Sequence, residues 1–232
     1  MNSKYNIEAT DHVTAADHES EEELGNTPSQ GAPNPSGWHH LPTGSAYSLR
    51  SREATKNSLE FPDGAVVRVL DSPSDPAHAP LLMEFVLSPG AMPTAAHIHP
   101  HQEETYAVQE GSLEVLIGRE WSTLEAGQSA TVPAGTPHAF RNRSGSTVRF
   151  LNEHCPALRF EDYFRAVHRF SEAGKIKGGF DIRGVLYACV LMEEYGDTMR
   201  AARAAQGALV RVLATVGRLL GVDAQEDPVE SR

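Results

Sequence analysis

The chain of 232 residues has no long hydrophobic segment and very little cysteine. Its longest uninterrupted apolar run, residues 185–192, has 8 residues, whereas a membrane-spanning helix needs about 20. Residues 1–30 are polar and acidic, unlike a secretory signal. Two cysteines, Cys155 and Cys189, exclude a disulfide scaffold and a structural zinc cluster. These absences predict a cytoplasmic protein with reduced thiols and no membrane partner.

The chain also lacks a concentration of basic residues. It carries 20 lysines and arginines against 31 acidic residues, a net charge of −11. Residues 1–30 hold seven acidic side chains and one lysine, and the C-terminal residues 222–232 are acidic as well. A nucleic-acid partner requires a basic face. We therefore expect a small-molecule substrate and no nucleic acid.

Composition separates an N-terminal region from a β-rich one. Residues 1–57 are rich in Pro, Ser, Asn and acidic residues, which predicts a disordered or loosely docked segment. Residues 58–157 contain short runs rich in Val, Leu, Phe and Thr, separated by turn signals. The runs are 65–70, 81–87, 105–108, 113–117, 128–132 and 147–151. Short strands without helices between them predict a mainly β fold, a sandwich or a barrel.

The pattern becomes helical in residues 158–221 and is followed by an acidic tail, 222–232. Asp181 and Asp197 are suited to cap two helices that end near residues 195 and 221. The last helix carries an apolar stripe of Leu209, Val212, Leu213, Val216, Leu219 and Leu220. Such a stripe predicts packing on the barrel or on a second copy in a homodimer. A membrane-surface helix is the alternative.

Chemistry-bearing residues concentrate in two short segments. His97 and His99 are two residues apart, so on a strand their side chains share one face. Glu104 follows a turn after them, and His138 begins a later strand. Three imidazoles and one carboxylate that converge inside a barrel suit Fe(II), Mn(II), Ni(II), Cu(II) or Zn(II). The sequence therefore predicts a centre for one divalent metal ion.

These segments resemble the two motifs of the cupin superfamily. The first motif, G(X)5HXH(X)3-4E(X)6G, is matched by Gly90, His97, His99, Glu104 and Gly111, with six residues instead of five after Gly90. The second, G(X)5PXG(X)2H(X)3N, is matched throughout by Gly127, Pro133, Gly135, His138 and Asn142. The motif glycines are expected where tight turns need a positive φ. The resemblance covers about residues 58–157 and implies a small antiparallel jelly-roll β-barrel.

The resemblance also implies which residues hold the metal. They are His97, His99, Glu104 and His138, whereas His101 and Glu103 fall outside the ligand set. A barrel that binds an organic ligand without metal is the alternative. The helical tail is similar to that of bacterial single-barrel cupins of unassigned activity.

Two aromatic residues are candidates for a substrate pocket. Tyr106 and Phe140 each follow a predicted ligand by two positions, so the period of a strand points them to the same side. Filling of the core is an equal or better interpretation for both.

Metal-binding cupins include quercetinase-like dioxygenases, isomerases, decarboxylases and polyketide-cyclase-like proteins. Our first expectation is a metal-dependent oxidoreductase, a dioxygenase acting on a small organic molecule, with Glu104 as both ligand and catalytic base. The second is a non-redox isomerase, lyase or cyclase. The third is a barrel that binds a small molecule without turnover.

Overall fold

The computed structural model describes residues 8–9, 57–91, 94–176 and 181–225. Most of the predicted N-terminal region, 1–57, and of the acidic tail, 222–232, lies outside these residues, and what we expect of them stays a prediction. In the part of the chain that is described, no helix combines the length and hydrophobicity that crossing a membrane would require.

Strands in the described residues form two antiparallel sheets. In chain order they are β1 (Glu8–Ala9), β2 (Ser58–Glu60), β3 (Val66–Asp71), β4 (Leu81–Leu87), β5 (His97–Ile98), β6 (Glu103–Glu110), β7 (Ser112–Ile117), β8 (Glu120–Glu125), β9 (Gln128–Val132), β10 (His138–Arg141), β11 (Val148–Cys155) and β12 (Arg200–Ala201). One sheet has the order β1-β9-β6-β11-β4-β3-β2 and the other the order β12-β5-β10-β7-β8.

Side chains between the sheets form an apolar core. Buried and partly exposed residues alternate along β3 and β7, as expected for strands with one face in a core. Phe85 on β4 and Phe150 on β11 are opposite each other, and their rings stack at 5.1 Å between centroids. Leu113 and Val115 of the second sheet join the same cluster. The predicted mainly β, antiparallel architecture with a C-terminal helical segment is confirmed.

Three helices follow the barrel in the described chain: α1 (Phe160–Glu172), α2 (Ile182–Glu194) and α3 (Ala204–Leu219). The prediction that Asp181 caps a helix is confirmed, since its carboxylate accepts a hydrogen bond from the Arg183 backbone N–H at 3.3 Å. The helices share a second core that includes Phe170, Tyr187 and Ala214.

The prediction that Asp197 caps the last helix is wrong. Helix α3 begins at Ala204, and β12 before it pairs Arg200 and Ala201 with β5. The backbone groups of this segment are bonded to the barrel and so are unavailable for a first helical turn. The helical tail therefore contributes an edge strand to the sheet that carries His97.

Helix α3 also packs through a different face than its apolar pattern suggests. Ala214 and Gly217 are buried against α2, and a Cβ added at Gly217 would lie 3.0 Å from Val190. Small residues thus permit close approach of the two helices. Leu213 of the predicted stripe packs against this core, whereas its other members are exposed: Leu209, Val212, Val216, Leu219 and Leu220.

The motif glycines adopt the left-handed backbone expected from the sequence. Their φ angles are 75° at Gly90, 75° at Gly111, 85° at Gly127 and 75° at Gly135. Gly111 connects β6 and β7, and a Cβ there would lie 2.6 Å from the carbonyl oxygen of Thr147. This turn therefore excludes a side chain both by its backbone angle and by the space around it.

We expect Gly111→Ala to lower the free energy of unfolding by about 2 kcal/mol or more. A left-handed conformation costs a non-glycine residue roughly 1–2 kcal/mol, and the new methyl overlaps the Thr147 carbonyl. Gly145→Ala is the matched control because nothing lies within 4 Å of its added Cβ. Urea unfolding followed by circular dichroism measures both, and equal losses would contradict the prediction.

Candidate metal centre

Two sheets bring the four predicted ligands together. Strands β5 and β10 pair so that His97 lies opposite His138, and Glu104 reaches them from β6 of the facing sheet. One ligand atom of each of the four, His99 included, lies within 4.8 Å of the others. All four are buried, with exposed fractions of 7% or less.

Backbone carbonyls orient the three imidazoles. The Nδ1 of His97 lies 2.9 Å from the carbonyl oxygen of Ala95, that of His138 lies 2.7 Å from Thr136, and that of His99 lies 2.6 Å from Thr198. A carbonyl oxygen can only accept, so each Nδ1 carries the proton and donates it. This arrangement fixes the ring and leaves Nε2 as the ligand atom, as in metal-binding histidines generally.

The inward-facing atoms lack partners. Nε2 of His138 lies 2.7 Å from Oε2 of Glu104, and Nε2 of His99 lies 3.5 Å from it. Among the described residues, none of these three buried atoms has a hydrogen-bond partner of good geometry. Nitrogen lone pairs that face a buried carboxylate repel it unless a cation lies between them. The donor set therefore fits a divalent transition metal ion, since three nitrogens and one oxygen suit Fe, Mn, Ni, Cu and Zn alike.

Electrostatics decide where protons reside when no metal is bound. Burial lowers the pKa of His97 to about 3, and repulsion from His138 and His99 acts in the same direction. Burial acts to raise the pKa of Glu104, but the charges of His138 and His154 outweigh it and hold that pKa well below its ordinary value. Burial opposes the charge of His138, yet attraction to Glu104 raises its pKa. His138 thus holds the proton that a metal ion must displace.

Two residues of β11 that the sequence analysis missed support Glu104. The amide of Asn152 donates to Glu104 Oε1 at 2.9 Å, and Nε2 of His154 lies 2.8 Å from Asn152 Oδ1. His154 is fully buried and stacks on Phe160 at 3.6 Å between ring centroids. Because β11 runs four residues beyond the predicted run 147–151, its alternation places Phe150, Asn152 and His154 on the inward face. A longer strand prediction would have found both.

A cavity of about 620 Å³ adjoins the cluster. His97, Glu104 and Asn152 line it, and so does Phe140, one of the two pocket candidates predicted above. Tyr106, the other candidate, is not among the residues that line the cavity. It is fully buried in the core, packed against Phe140 and Phe150 at 5.8 and 6.0 Å between ring centroids. The period of β6 points Tyr106 inward, and burial together with the carboxylate of Glu104 holds the pKa of its hydroxyl well above the ordinary value.

The neighbours of the ligands lie where the motif spacing puts them. His101 and Glu103 are exposed and are not part of the cluster. Between them, Gln102 is buried and donates from Nε2 to the carbonyls of Pro156 and Ala157. These bonds hold the turn between β5 and β6 against the end of β11.

Comparison with known proteins agrees with this geometry. Residues 83–152 match the cupin domain family, Cupin_2. Quercetin 2,3-dioxygenase from Bacillus subtilis (strain 168) is 38% identical over 68 residues. That match spans 28% of this chain and only 20% of the dioxygenase.

Solved structures similar to this chain include three at more than 25% identity. The TT1209 protein of Thermus thermophilus is 27% identical, with 44% of this chain and 91% of that chain covered and a TM-score of 0.38. The Cupin_2 domain of an XRE family transcriptional regulator from Enterobacter cloacae is 32% identical, with 39% and 95% covered and a TM-score of 0.34. The polyketide cyclase RemF from Streptomyces resistomycificus is 30% identical, with 43% and 68% covered and a TM-score of 0.35.

We expect His138→Ala and Glu104→Gln to lower metal affinity about tenfold or more, because each removes one donor of a shared site. His101→Ala, two positions beyond His99 and exposed, is the control and should keep full occupancy. Metal per chain, measured by mass spectrometry on variants purified in parallel, tests this. If His101→Ala empties the site while His97→Ala leaves it full, the ligand assignment is wrong by two residues.

We also expect metal affinity to fall as pH is lowered from about 8 to about 5. The proton on His138 has a raised pKa and must leave when the ion binds, so protons compete already near neutrality. His97, with a pKa of about 3, stays neutral in this range and does not compete. One displaced proton weakens binding about tenfold per pH unit below the pKa of His138. Competition with a chelating dye measures the slope of metal affinity against pH. An affinity that does not change with pH would contradict the assignment of His138 as a metal ligand.

Proposed function

We propose that this protein, whose residues 83–152 match the cupin domain family, is a metal-dependent oxidoreductase, a dioxygenase acting on a small organic molecule. The observation that carries the proposal is the position of the donor set at the wall of a large cavity, with His97 and Glu104 among its lining residues. The matched segment of the quercetin dioxygenase supports the same reaction class.

A bound Fe, Mn, Ni, Cu or Zn ion would supply a Lewis acid and, for all but zinc, a redox centre at the cavity wall. Four protein donors leave two positions of a six-coordinate ion for small ligands. The chain itself supplies position and a mainly apolar surrounding. The three carbonyl-bound imidazoles are fixed before any substrate arrives, and the apolar lining lowers the local polarity, which strengthens charge interactions at the centre.

Glu104 is the residue suited to proton transfer. Its Oε1 is held by Asn152 at 2.9 Å, whereas Oε2 has no good hydrogen-bond partner among the described residues. A lowered pKa keeps the carboxylate ionised for the ion, and Oε2 would accept a proton from a substrate hydroxyl only after it releases the ion. Asn152 holds Oε1 in place during that exchange.

Oxygen dependence tests the proposal. Protein loaded separately with Fe(II), Mn(II), Ni(II), Cu(II) and Zn(II) is mixed with quercetin or 2,3-dihydroxynaphthalene in an oxygen electrode, and substrate loss is followed by chromatography. We expect at least one redox-active ion to support coupled loss of oxygen and substrate, with zinc inactive and Glu104→Gln slower by roughly a hundredfold or more.

Other outcomes point to the other two functions. Substrate loss at the same rate under nitrogen would contradict the dioxygenase and favour a non-redox isomerase, lyase or cyclase. Binding of either compound without any loss would favour a barrel that only binds its ligand.

A further inference from the structure

The far wall of the cavity comes from the C-terminal helices. Helix α1 contributes Tyr163 and Val167, α2 contributes Ala188 and Met192, and α3 contributes Val210 and Leu213. We call these six residues the helical wall. They line the same cavity as His97 and Glu104, and its volume of about 620 Å³ lies within the size range of pockets for drug-sized molecules, roughly 300–1,000 Å³. The cupin motifs do not reach this wall, since the matched residues end at 152.

The chemistry of the lining restricts the ligand. No lysine or arginine lines the cavity within the described ranges 57–91, 94–176 and 181–225, so a carboxylate, phosphate or sulfonate on the ligand would have no cationic side chain to pair with. A buried charge without a partner is costly. Apart from the residues at the metal end, the described lining side chains with a polar oxygen or nitrogen are Asp63, Thr94, Tyr163, Ser171 and Gln206, so most hydroxyls of a sugar would meet apolar side chains. At the metal end, by contrast, the polar groups of His97, Glu104 and Asn152 lie together.

Aromatic rings are the other shared feature of the lining. Phe85 and Phe140 come from the barrel, and Phe160 and Phe164 from α1. Several meet edge to face, as Phe85 does with Phe140 at 5.8 Å and with Phe164 at 5.5 Å between centroids. Such a surface favours flat rings, whose edges and faces fit among others.

We propose that the helical wall selects a neutral, mainly apolar, ring-containing molecule that carries its oxygen groups at one end, against the metal ligands. The inference deepens the proposed function and rests on it only for what happens to the ligand after binding. Ala188 is the smallest side chain of the helical wall, so a larger residue there would take up space in the cavity. Its side chain is exposed although it lines the cavity, and it lies on the same face of α2 as Met192, four residues on.

The test compares two probes on the metal-loaded full chain by titration calorimetry. The probes are 2,3-dihydroxynaphthalene, which is neutral with two adjacent hydroxyls, and its 6-sulfonate, which adds one anion to the same rings. We expect the neutral probe to bind at least about tenfold more tightly, because the sulfonate has no cation to pair with in the cavity. This comparison needs no substitution, so a folding defect cannot obscure it.

A pair of tryptophan variants locates the site. Ala188→Trp should fill the space in front of the helical wall and weaken binding of the neutral probe about tenfold or more. Ala208→Trp is the matched control, because Ala208 is an exposed helical alanine on α3 that does not line the cavity. It should change affinity less than about twofold, and both variants should keep wild-type metal content.

The inference is overturned if the sulfonate binds as tightly as the neutral probe, if neither probe binds, or if both tryptophan variants behave alike. Its failure is distinguishable from failure of the proposed function. Selective binding without oxygen uptake would retain the inference and reject the dioxygenase. Oxygen uptake that Ala188→Trp leaves unchanged would retain the dioxygenase and reject the inference.

Discussion

Three hydrogen bonds from imidazole Nδ1 atoms to backbone carbonyls determine most of what this site can do. They fix the tautomer of each ring and turn three Nε2 lone pairs towards one carboxylate in a buried space. Such an arrangement is unfavourable unless positive charge enters it, whether as a proton on His138 or as a metal ion. The backbone carbonyls that orient the rings therefore favour a bound cation as much as the four side chains do. The carbonyls of Ala95 and Thr136 belong to loops just before β5 and β10, so local chain geometry supplies two of the three.

On the other sheet, Glu104 is likewise held in place by a hydrogen bond from a neighbouring side chain. Asn152 and His154 extend the polar cluster along β11, surrounded by Phe160 and the core. Each polar group in this row is fixed by its neighbour, which is what allows a carboxylate with one unpartnered oxygen to keep a single orientation without solvent. The apolar cavity begins where this row ends, so the centre lies at a boundary between a rigid polar cluster and a surface of rings and aliphatic side chains.

Much of this structure was predictable from the sequence, for reasons that are local. Short runs rich in Val, Leu, Phe and Thr, separated by turn residues, located most of the strands, and two motifs with fixed spacings located the four clustered residues and the turn glycines. What the sequence did not reveal depends on contacts between distant segments. The sequence around Thr198 does not indicate that its carbonyl accepts a hydrogen bond from the ring of His99, which lies 99 residues earlier. The packed face of α3 was missed because Ala214 and Gly217 are small residues that allow close helix packing, whereas the large apolar residues indicated an adjoining face that shares only Leu213 with the core. Asn152 and His154 were missed because the strand was ended too early.

The hydrogen bond between His99 and Thr198 makes the helical tail and the metal site parts of one equilibrium. Thr198 lies just before β12, whose pairing with β5 attaches the tail beside His97. If docking of this segment pre-organises His99 for the ion, then by thermodynamic reciprocity the ion tightens the docking of the segment by the same free energy. A bound ion would then make detachment of residues 198–203 rarer, and loss of that docking would weaken binding of the ion, although the tail carries none of the four predicted ligands.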